Sequence, residues 1–118
     1  MTNSAVLNGK VTHDTLIDNI NLFIKANYRE DLTLNQVADK FYISPNYLSQ
    51  LFKKRNNISF VDYIQKLRIE EAKRHLKTTN MKVRDIARKV GYNNSSYFIN
   101  VFKKNVGLTP SEYRKKSL

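Results

Sequence analysis

The fold is decided by the stretch NVFKKNVGLTPSEYRK, residues 100–115, and by its earlier counterpart QLFKKRNNISFVDYIQK, residues 50–66. Both stretches place an aromatic residue, two lysines, a loop and a second aromatic residue at the same steps. The matching residues stand 50 positions apart, and they are Phe52 and Phe102, Lys53 and Lys103, Lys54 and Lys104, and Tyr63 and Tyr113. A chain that repeats one pattern in this way is predicted to contain two copies of one small structural unit.

The repeat continues towards the N-terminus with a shift of one residue. The pairs that stand 49 positions apart are Val37 and Ile86, Ala38 and Ala87, and Lys40 and Lys89. An extra residue inside a helix would rotate its apolar face by about 100°, so we place the insertion in a turn. In the second copy Ala87 lets two helices cross closely, and Gly91 accepts a positive φ at the turn. Each copy is therefore predicted to be a helix-turn-helix, although the first has Tyr42 where the second has glycine.

The composition indicates a small helical protein with a polyanionic partner. Lys and Arg number 21 against 10 Asp and Glu in 118 residues, a net charge of +11. Such an excess is typical of proteins that bind nucleic acid or an anionic membrane surface. Three glycines and two prolines are too few for a turn-rich β protein. No apolar run approaches the roughly 20 residues of a membrane helix. No secretory signal is expected, because no basic patch is followed by an apolar stretch near the N-terminus. The lack of cysteine fits a reducing cytoplasm.

Helix-start signals and helical apolar spacing organise the chain after residue 13. The start signals are Thr33 with Gln36, Ser44 before Pro45, Ser59, and Thr109 before Pro110 with Glu112. We predict an all-α fold of about seven helices, forming two helix-turn-helix subdomains joined by a long linker helix. Residues 1–13 are predicted to be a linker or flexible tail and residues 14–118 the folded domain. Within it we place the first helix-turn-helix at about 33–56, the linker helix at about 59–77 and the second helix-turn-helix at about 82–106.

Three segments resemble the DNA-binding domain of AraC/XylS-type transcription regulators. They are LNQVADKFYISPNYLSQLFKK, LRIEEAKRHL and VRDIARKVGYNNSSYFINVFKKNVGLTPSEYRK. The resemblance covers about residues 14–115 and is most specific from Ile86 to Arg114. It implies seven helices, two helix-turn-helix units joined by one long helix, and sequence-specific regulation of transcription.

The resemblance also implies partners and a cellular setting. Family members usually carry a separate sensing or receiver domain, so the chain is expected to be the output domain of a longer regulator. The alternative is a small stand-alone regulator. The family more often activates transcription through RNA polymerase, so an activator is expected, with promoter DNA and RNA polymerase as partners. A bacterial, cytoplasmic, nucleoid-associated protein follows from this reading.

Polar faces on the third and sixth helices are the candidate base-reading surfaces. The steps i, i+3, i+4 and i+7 give Asn46, Ser49, Gln50 and Lys53 on one helix, and Ser96, Ile99, Asn100 and Lys103 on the other. We predict that the first three residues of each set read base edges in successive major grooves, at positions that carry base contacts in the family. Asn and Gln pair with adenine and neither face holds arginine, so the predicted site is A·T-rich. Ile99 either meets a thymine methyl group or packs against a neighbouring helix.

Phosphate contacts are predicted at the starts and ends of these helices. Lysines near a helix end can meet phosphates, and the N–H groups of a helix start can hold one. The predicted residues are Ser44, Lys53, Lys54, Asn94, Ser95, Lys103, Lys104 and Thr109, with Arg114, Lys115 and Lys116 as further candidates. For Arg68 the alternatives of packing and DNA backbone contact stay open.

Other functions have weaker support in the sequence. His13 is predicted to be a tail residue and His75 a helix-surface residue, both isolated, and no metal-ligand spacing is present, so we expect neither an enzyme nor a cofactor. Glu70 and Glu71 are predicted to form an exposed acidic pair that balances a basic helix. The alternatives to a specific DNA-binding domain are a basic module for an acidic protein partner and sequence-neutral nucleic-acid binding. Stacking on unpaired RNA bases needs exposed aromatic rings, whereas the aromatic residues here are predicted to lie on inner faces.

Overall fold

The computed structural model describes the backbone of residues 9–118 and the side chains from Asp14 onward. Over this range all regular secondary structure is helical, which confirms the predicted all-α fold. The helices are α1 (Gly9–Asn27), α2 (Leu34–Lys40), α3 (Pro45–Asn56), α4 (Phe60–Thr78), α5 (Val83–Val90), α6 (Ser95–Val106) and α7 (Pro110–Lys116). In the described part of the chain, no helix is both long and apolar enough to cross a membrane.

The first helix begins earlier than the sequence pattern suggested. α1 starts at Gly9 and so includes residues 9–13, which we predicted to be part of a tail. Those residues contain no proline, and their lack of an apolar period does not prevent a helix from extending through them. The remainder of the predicted tail, residues 1–8, lies outside the described residues.

The described residues form two compact units, each built around one helix-turn-helix. The first unit contains α1 and Leu32–Ile64, and the second contains Tyr28–Asp31 and Gln65–Leu118. The first unit buries Ile20, Ile24, Val37, Leu48, Phe52 and Phe60. The core cluster of the second unit includes Ile69, Leu76, Ile86, Val90, Phe98 and Phe102. Each helix-turn-helix therefore has its own apolar core, as the internal repeat predicts.

The start signals predicted for α2, α3, α4 and α7 are confirmed, and the one for α3 is the Ser44 side chain, which accepts a hydrogen bond from Tyr47 N–H. Each of the helices α2 and α7 begins with a complete capping box, formed by Thr33 with Gln36 and by Thr109 with Glu112 respectively. The hydroxyl of Ser59 accepts a hydrogen bond from the backbone N–H of Asp62 at 3.1 Å, at the start of α4. Each cap accepts an N–H group that has no partner within the helix.

The turns of the two copies locate the one-residue insertion. One matched backbone hydrogen bond closes each turn, from Ile43 N–H to Ala38 O at 3.0 Å and from Tyr92 N–H to Ala87 O at 2.8 Å. These partners stand 49 positions apart, whereas the N-cap residues that follow, Ser44 and Asn94, stand 50 apart. The insertion therefore lies inside the turn, where it leaves both apolar faces intact.

Gly91 and Tyr42 hold the same left-handed conformation at the two turns. The φ of Gly91 is 115°, and that of Tyr42 is 59°. A Cβ atom on Gly91 would lie 2.8 Å from Arg68 Nε and 2.9 Å from the carbonyl oxygen of Arg29. Tyr42 is 95% exposed, so the first turn has room for a side chain that the second turn lacks.

The prediction that all aromatic residues lie on inner faces is wrong. Tyr97 is 57% exposed and Tyr47 is 37% exposed. The buried arc of each helix is centred on the next residue, Leu48 or Phe98. Successive side chains on a helix are about 100° apart, so each tyrosine lies at the edge of that arc.

The prediction of an exposed acidic pair is wrong for Glu71, as is the surface position predicted for His75. Glu71 is 2% exposed, and the His75 side chain is 13% exposed. Glu71 Oε1 accepts hydrogen bonds from the Tyr28 hydroxyl and from Arg29 Nε, both at 2.7 Å. Glu71 Oε2 lies 2.9 Å from Nε2 of His75. The segment Tyr28–Asp31 supplies these distant partners, which no local pattern around residue 71 reveals.

Candidate nucleic-acid interface

Helix α3 is defined by a cap at each end and by one buried face. The Ser44 hydroxyl accepts a hydrogen bond from Tyr47 N–H, and Pro45 occupies the first helical position. The helix ends where Asn57 takes a left-handed conformation with a φ of 59°. Its buried residues are Leu48, Leu51 and Phe52. The opposite face of the helix is therefore available for a partner.

That opposite face of α3 carries the predicted reading residues. Asn46, Ser49, Gln50 and Lys53 are all exposed. Gln50 Nε2 lies 3.5 Å from Asn46 Oδ1, at the outer limit of a hydrogen bond. The two amides therefore stand side by side on the helix surface. Each amide keeps a donor and an acceptor that can pair with a base edge.

Helix α6 repeats this arrangement in the second unit. The side chain of Asn94 caps its start by accepting Tyr97 N–H at 2.9 Å, and the helix ends at the left-handed Gly107. Its buried residues are Phe98, Val101 and Phe102. Ser96, Asn100 and Lys103 are exposed. The reading residues predicted for α6 therefore share an outward face, apart from Ile99.

Ile99 is half-buried and packs against the core cluster of the second unit. Of the two roles left open for this residue, packing against its own unit is the one that the structure contains. Only the remaining part of its side chain faces outward. A thymine methyl contact by Ile99 stays a prediction.

The four predicted phosphate-binding lysines lie at the ends of the two helices. Lys53 and Lys54 occupy the last turn of α3, and Lys103 and Lys104 occupy the last turn of α6. All four are exposed. Cations at these C-terminal ends also complement the helix dipoles. Their positive charges are therefore accessible to a polyanion.

The helix starts differ in what they offer a phosphate. The side-chain cap of Ser44 is a hydroxyl oxygen and that of Asn94 is an amide oxygen, so neither cap adds a charge. Thr109 donates its backbone N–H to Glu112 Oε1 at 2.8 Å. The backbone and side-chain hydrogen bonds from Thr109 lower the pKa of Glu112, which is therefore anionic at neutral pH. This negative charge at the start of α7 argues against a phosphate contact at Thr109. Ser95 differs, because the first turn of α6 contains no acidic residue.

Two arginines considered as phosphate contacts bind the protein's own backbone. Arg114 Nε donates to the Leu76 carbonyl oxygen at 3.0 Å, and Arg114 Nη2 donates to that of Thr79 at 3.1 Å. Arg68 donates to the carbonyl oxygens of Tyr28 and Glu30 at 2.7 and 2.8 Å. Two of the three guanidinium nitrogens of Arg114 thus bind within the fold at the end of α4, and a phosphate contact at Arg114 stays a prediction. Arg68 has a packing role within the second unit.

Sequence reasoning missed Tyr47 and Tyr97 as residues of this surface. Both lie directly after a predicted reading residue, Asn46 or Ser96. The Tyr97 ring packs on the Tyr92 ring, with centroids 5.9 Å apart. The repeat itself was the signal that could have identified them, because the two tyrosines stand 50 positions apart, as the other matching residues of the two copies do.

Comparison with known proteins agrees with this geometry. Residues 37–116 match a protein family described as "Helix-turn-helix domain". The chain is 44% identical over 101 residues to the uncharacterized HTH-type transcriptional regulator YijO of Escherichia coli, covering 86% of this chain and 36% of YijO. It is 41% identical over 110 residues to the bifunctional transcriptional activator/DNA repair enzyme AdaA of Bacillus subtilis, covering 93% of this chain and 52% of AdaA. The chain thus spans about half or less of these curated relatives.

Solved structures show the same fold at substantial identity. The C-terminal domain of AraT, a response regulator from Geobacillus stearothermophilus, superposes with a TM-score of 0.83 at 35% identity, covering 86% of this chain and 84% of that domain. The C-terminal domain of the two-component response regulator yesN from Fusobacterium nucleatum gives 0.80 at 40% identity, covering 82% and 95%. The predicted resemblance is confirmed, and the chain belongs to the AraC-type helix-turn-helix DNA-binding domains.

Proposed function

We propose that this chain binds double-stranded promoter DNA sequence-specifically and regulates transcription, with α3 and α6 as its two recognition helices. The observation that carries the proposal is the pair of exposed polar faces at matching positions of two helix-turn-helix units. Membership of a DNA-binding family and a net charge of +11 support the same function. An α-helix fits the major groove of B-DNA, where each base pair presents a distinct pattern of donors and acceptors.

The reading chemistry follows from the exposed amides. Gln50 and Asn100 occupy the same position on their helices, 50 residues apart, and Asn46 lies one turn before Gln50. A side-chain amide can donate a hydrogen bond to N7 of adenine and accept one from its N6 amino group, so A·T pairs are the preferred targets. The lysines at the helix ends then neutralise phosphates without reading sequence. Because one chain carries two such helices, a single copy can occupy a bipartite site of two adjacent major grooves.

The regulatory setting is proposed from the relatives. AdaA, a relative at 41% identity, is named a transcriptional activator, and AraT is named a response regulator. We therefore propose activation through RNA polymerase, under the control of a sensing or receiver domain in a longer regulator. The same proposal includes a bacterial cytoplasmic location, with the protein associated with the nucleoid at its promoter.

Selection of bound duplexes from a random DNA library, at near-physiological salt, tests the proposed function. The expected result is a consensus of two A·T-rich blocks about one helical turn apart. Replacement of Asn100 or Gln50 by alanine should relax one block each, at a cost of about 1–3 kcal/mol for the selected site. Asn19→Ala, which removes an exposed amide from α1, is the matched control and should leave the consensus unchanged.

A sequence-neutral nucleic-acid-binding module is the second candidate function. It gains support from the exposed rings of Tyr47 and Tyr97, since aromatic side chains can stack on unpaired bases. This candidate would be favoured if the library selection enriched no sequence and if the protein bound single strands as tightly as duplexes. A consensus with mainly guanine at the bases under α3 and α6 would instead support sequence-specific binding and overturn the prediction of adenine contacts.

A further inference from the structure

Two sets of residues on the surfaces of α3 and α6 behave differently when they are compared across the repeat. The predicted reading residues differ at every position: Asn46 and Ser96, Ser49 and Ile99, Gln50 and Asn100. Three other pairs are identical: Tyr47 and Tyr97, Lys53 and Lys103, Lys54 and Lys104. Residues that differ suit two half-sites of different sequence. Residues that are the same suit a feature that both half-sites share, which is the sugar–phosphate backbone.

The two tyrosines are exposed although they border an apolar face. Core packing accounts for identical buried pairs such as Phe52 and Phe102, which are 0% exposed. Tyr47 and Tyr97 are 37% and 57% exposed, so part of each side chain is accessible to a partner. The ring of Tyr97 rests on Tyr92, which holds it in place before any ligand binds.

Each tyrosine lies on the same side of its helix as one of the lysines. Tyr47 and Lys54 are seven residues apart and so point in directions about 20° from each other. Together with Gln50 they line one depression on the surface of α3. Tyr97, Asn100 and Lys104 have the same spacing on α6. The tyrosine–lysine edge therefore borders the reading face on the same side in both units.

We propose that the hydroxyl groups of Tyr47 and Tyr97 donate hydrogen bonds to DNA phosphates at the edge of the major groove. A phenol is a good donor, and a hydrogen bond to an ionised acceptor is about twice as strong as a neutral one. Lys54 and Lys104 attract the same strand by charge, whereas the tyrosines fix its distance from the helix. This role as positioning residues rests on the proposed DNA binding.

The test compares the wild-type chain with Tyr47→Phe, Tyr97→Phe and the double variant. Phenylalanine keeps the ring packing and removes only the hydroxyl group, and thermal unfolding checks that each variant is folded. Fluorescence anisotropy gives the Kd for the selected duplex and for a scrambled duplex of equal length, at several salt concentrations. Tyr42→Phe is the matched control, because Tyr42 is an exposed tyrosine outside both recognition helices.

We expect each recognition-helix variant to weaken both duplexes by about tenfold, the double variant by more, and Tyr42→Phe by less than twofold. The salt dependence should be unchanged, because no charge is removed. A loss confined to the selected duplex would mean that the tyrosines read bases, and a double variant within twofold of wild type would mean that the hydroxyls make no contact. Either result overturns the proposal. A wild-type chain that binds neither duplex would overturn the proposed function itself.

Discussion

Glu71 is a carboxylate that the second unit buries almost completely. Burial raises the pKa of this carboxyl, but the hydrogen bonds from Arg29, Tyr28 and His75 outweigh burial, and its pKa lies below the ordinary value. A buried charge of this kind is tolerable only while its partners remain in place. The side chain thus joins the segment Tyr28–Asp31 to α4.

Replacement of Glu71 by glutamine should destabilise the protein by about 2–3 kcal/mol at pH 7, because the neutral amide removes the charge that pairs with Arg29 and leaves one accepting oxygen in place of two. This figure is at the low end for a buried pair, since Arg29 is 44% exposed and partly regains water. A lowered folded-state pKa gives stability that is present above the ordinary pKa of glutamate, about 4.3. The difference between wild type and variant should therefore shrink as the pH falls below about 4.

Urea unfolding at pH 7 and at several values between pH 3 and 5 measures both effects. Glu70→Gln is the matched control, because Glu70 is exposed and its carboxylate pairs with Lys73 at 3.3 Å on the helix surface. A surface pair of this type contributes less than about 0.5 kcal/mol. Equal losses for the two variants would show that the Glu71 cluster does not stabilise the fold.

The neighbouring glutamates show which properties of single residues a sequence can reveal. Glu70 and Glu71 are adjacent on a basic helix and share the same local pattern. Their burial differs because Tyr28 and Arg29, more than 40 residues away, reach only Glu71. The polar faces of α3 and α6 depend only on spacing within a helix, so they could be predicted. The sequence could not show that Ile99 packs on its own core, because that contact depends on tertiary structure.

At the scale of elements, the local signals gave the helix starts and the turns, because caps act within four residues of their own position. Gly91 is the example with a tertiary component. Its positive φ was predicted from the helix-turn-helix pattern, whereas its contact with Arg68 and the Arg29 carbonyl was not. The extension of α1 back to Gly9 was missed because residues 9–13 show no apolar period, and that period was the signal used to place the helix.

Gly91→Ala and Gly107→Ala separate the cost of a positive φ from the cost of the close tertiary contact at Gly91. Both glycines have a positive φ, 115° and 91°, so alanine is strained at either position by about 1 kcal/mol. A Cβ atom at Gly107 meets nothing within 4 Å, whereas one at Gly91 meets Arg68 and the carbonyl of Arg29 below 3.0 Å. We expect Gly91→Ala to lower the free energy of unfolding by about 1–2 kcal/mol more than Gly107→Ala does. Thermal or urea unfolding measures the difference, and equal losses would mean that backbone conformation alone selects glycine at residue 91.

At the scale of the whole molecule, the net charge of +11 is the dominant property for a polyanionic ligand. Its position matters as well as its size. Lys53, Lys54, Lys103 and Lys104 are exposed beside the reading faces, whereas Arg68 and Arg114 bind backbone carbonyls. Composition alone predicts a polyanion as partner. The structure divides the charges into those available for phosphates and those used within the fold.

This division predicts the salt dependence of DNA binding. If six to ten phosphates are neutralised, the affinity should fall by about 10³–10⁵ between 50 and 200 mM salt. The slope of log K against log salt is negative, and Lys53→Gln should reduce its magnitude by about 0.9, because one fewer counterion is released. Lys25→Gln removes the same charge from the exposed surface of α1 and should leave the slope unchanged. Anisotropy titrations at four salt concentrations measure both slopes. An equal reduction in the magnitude of the slope in the two variants would show that total charge, rather than the lysines of α3 and α6, governs the affinity.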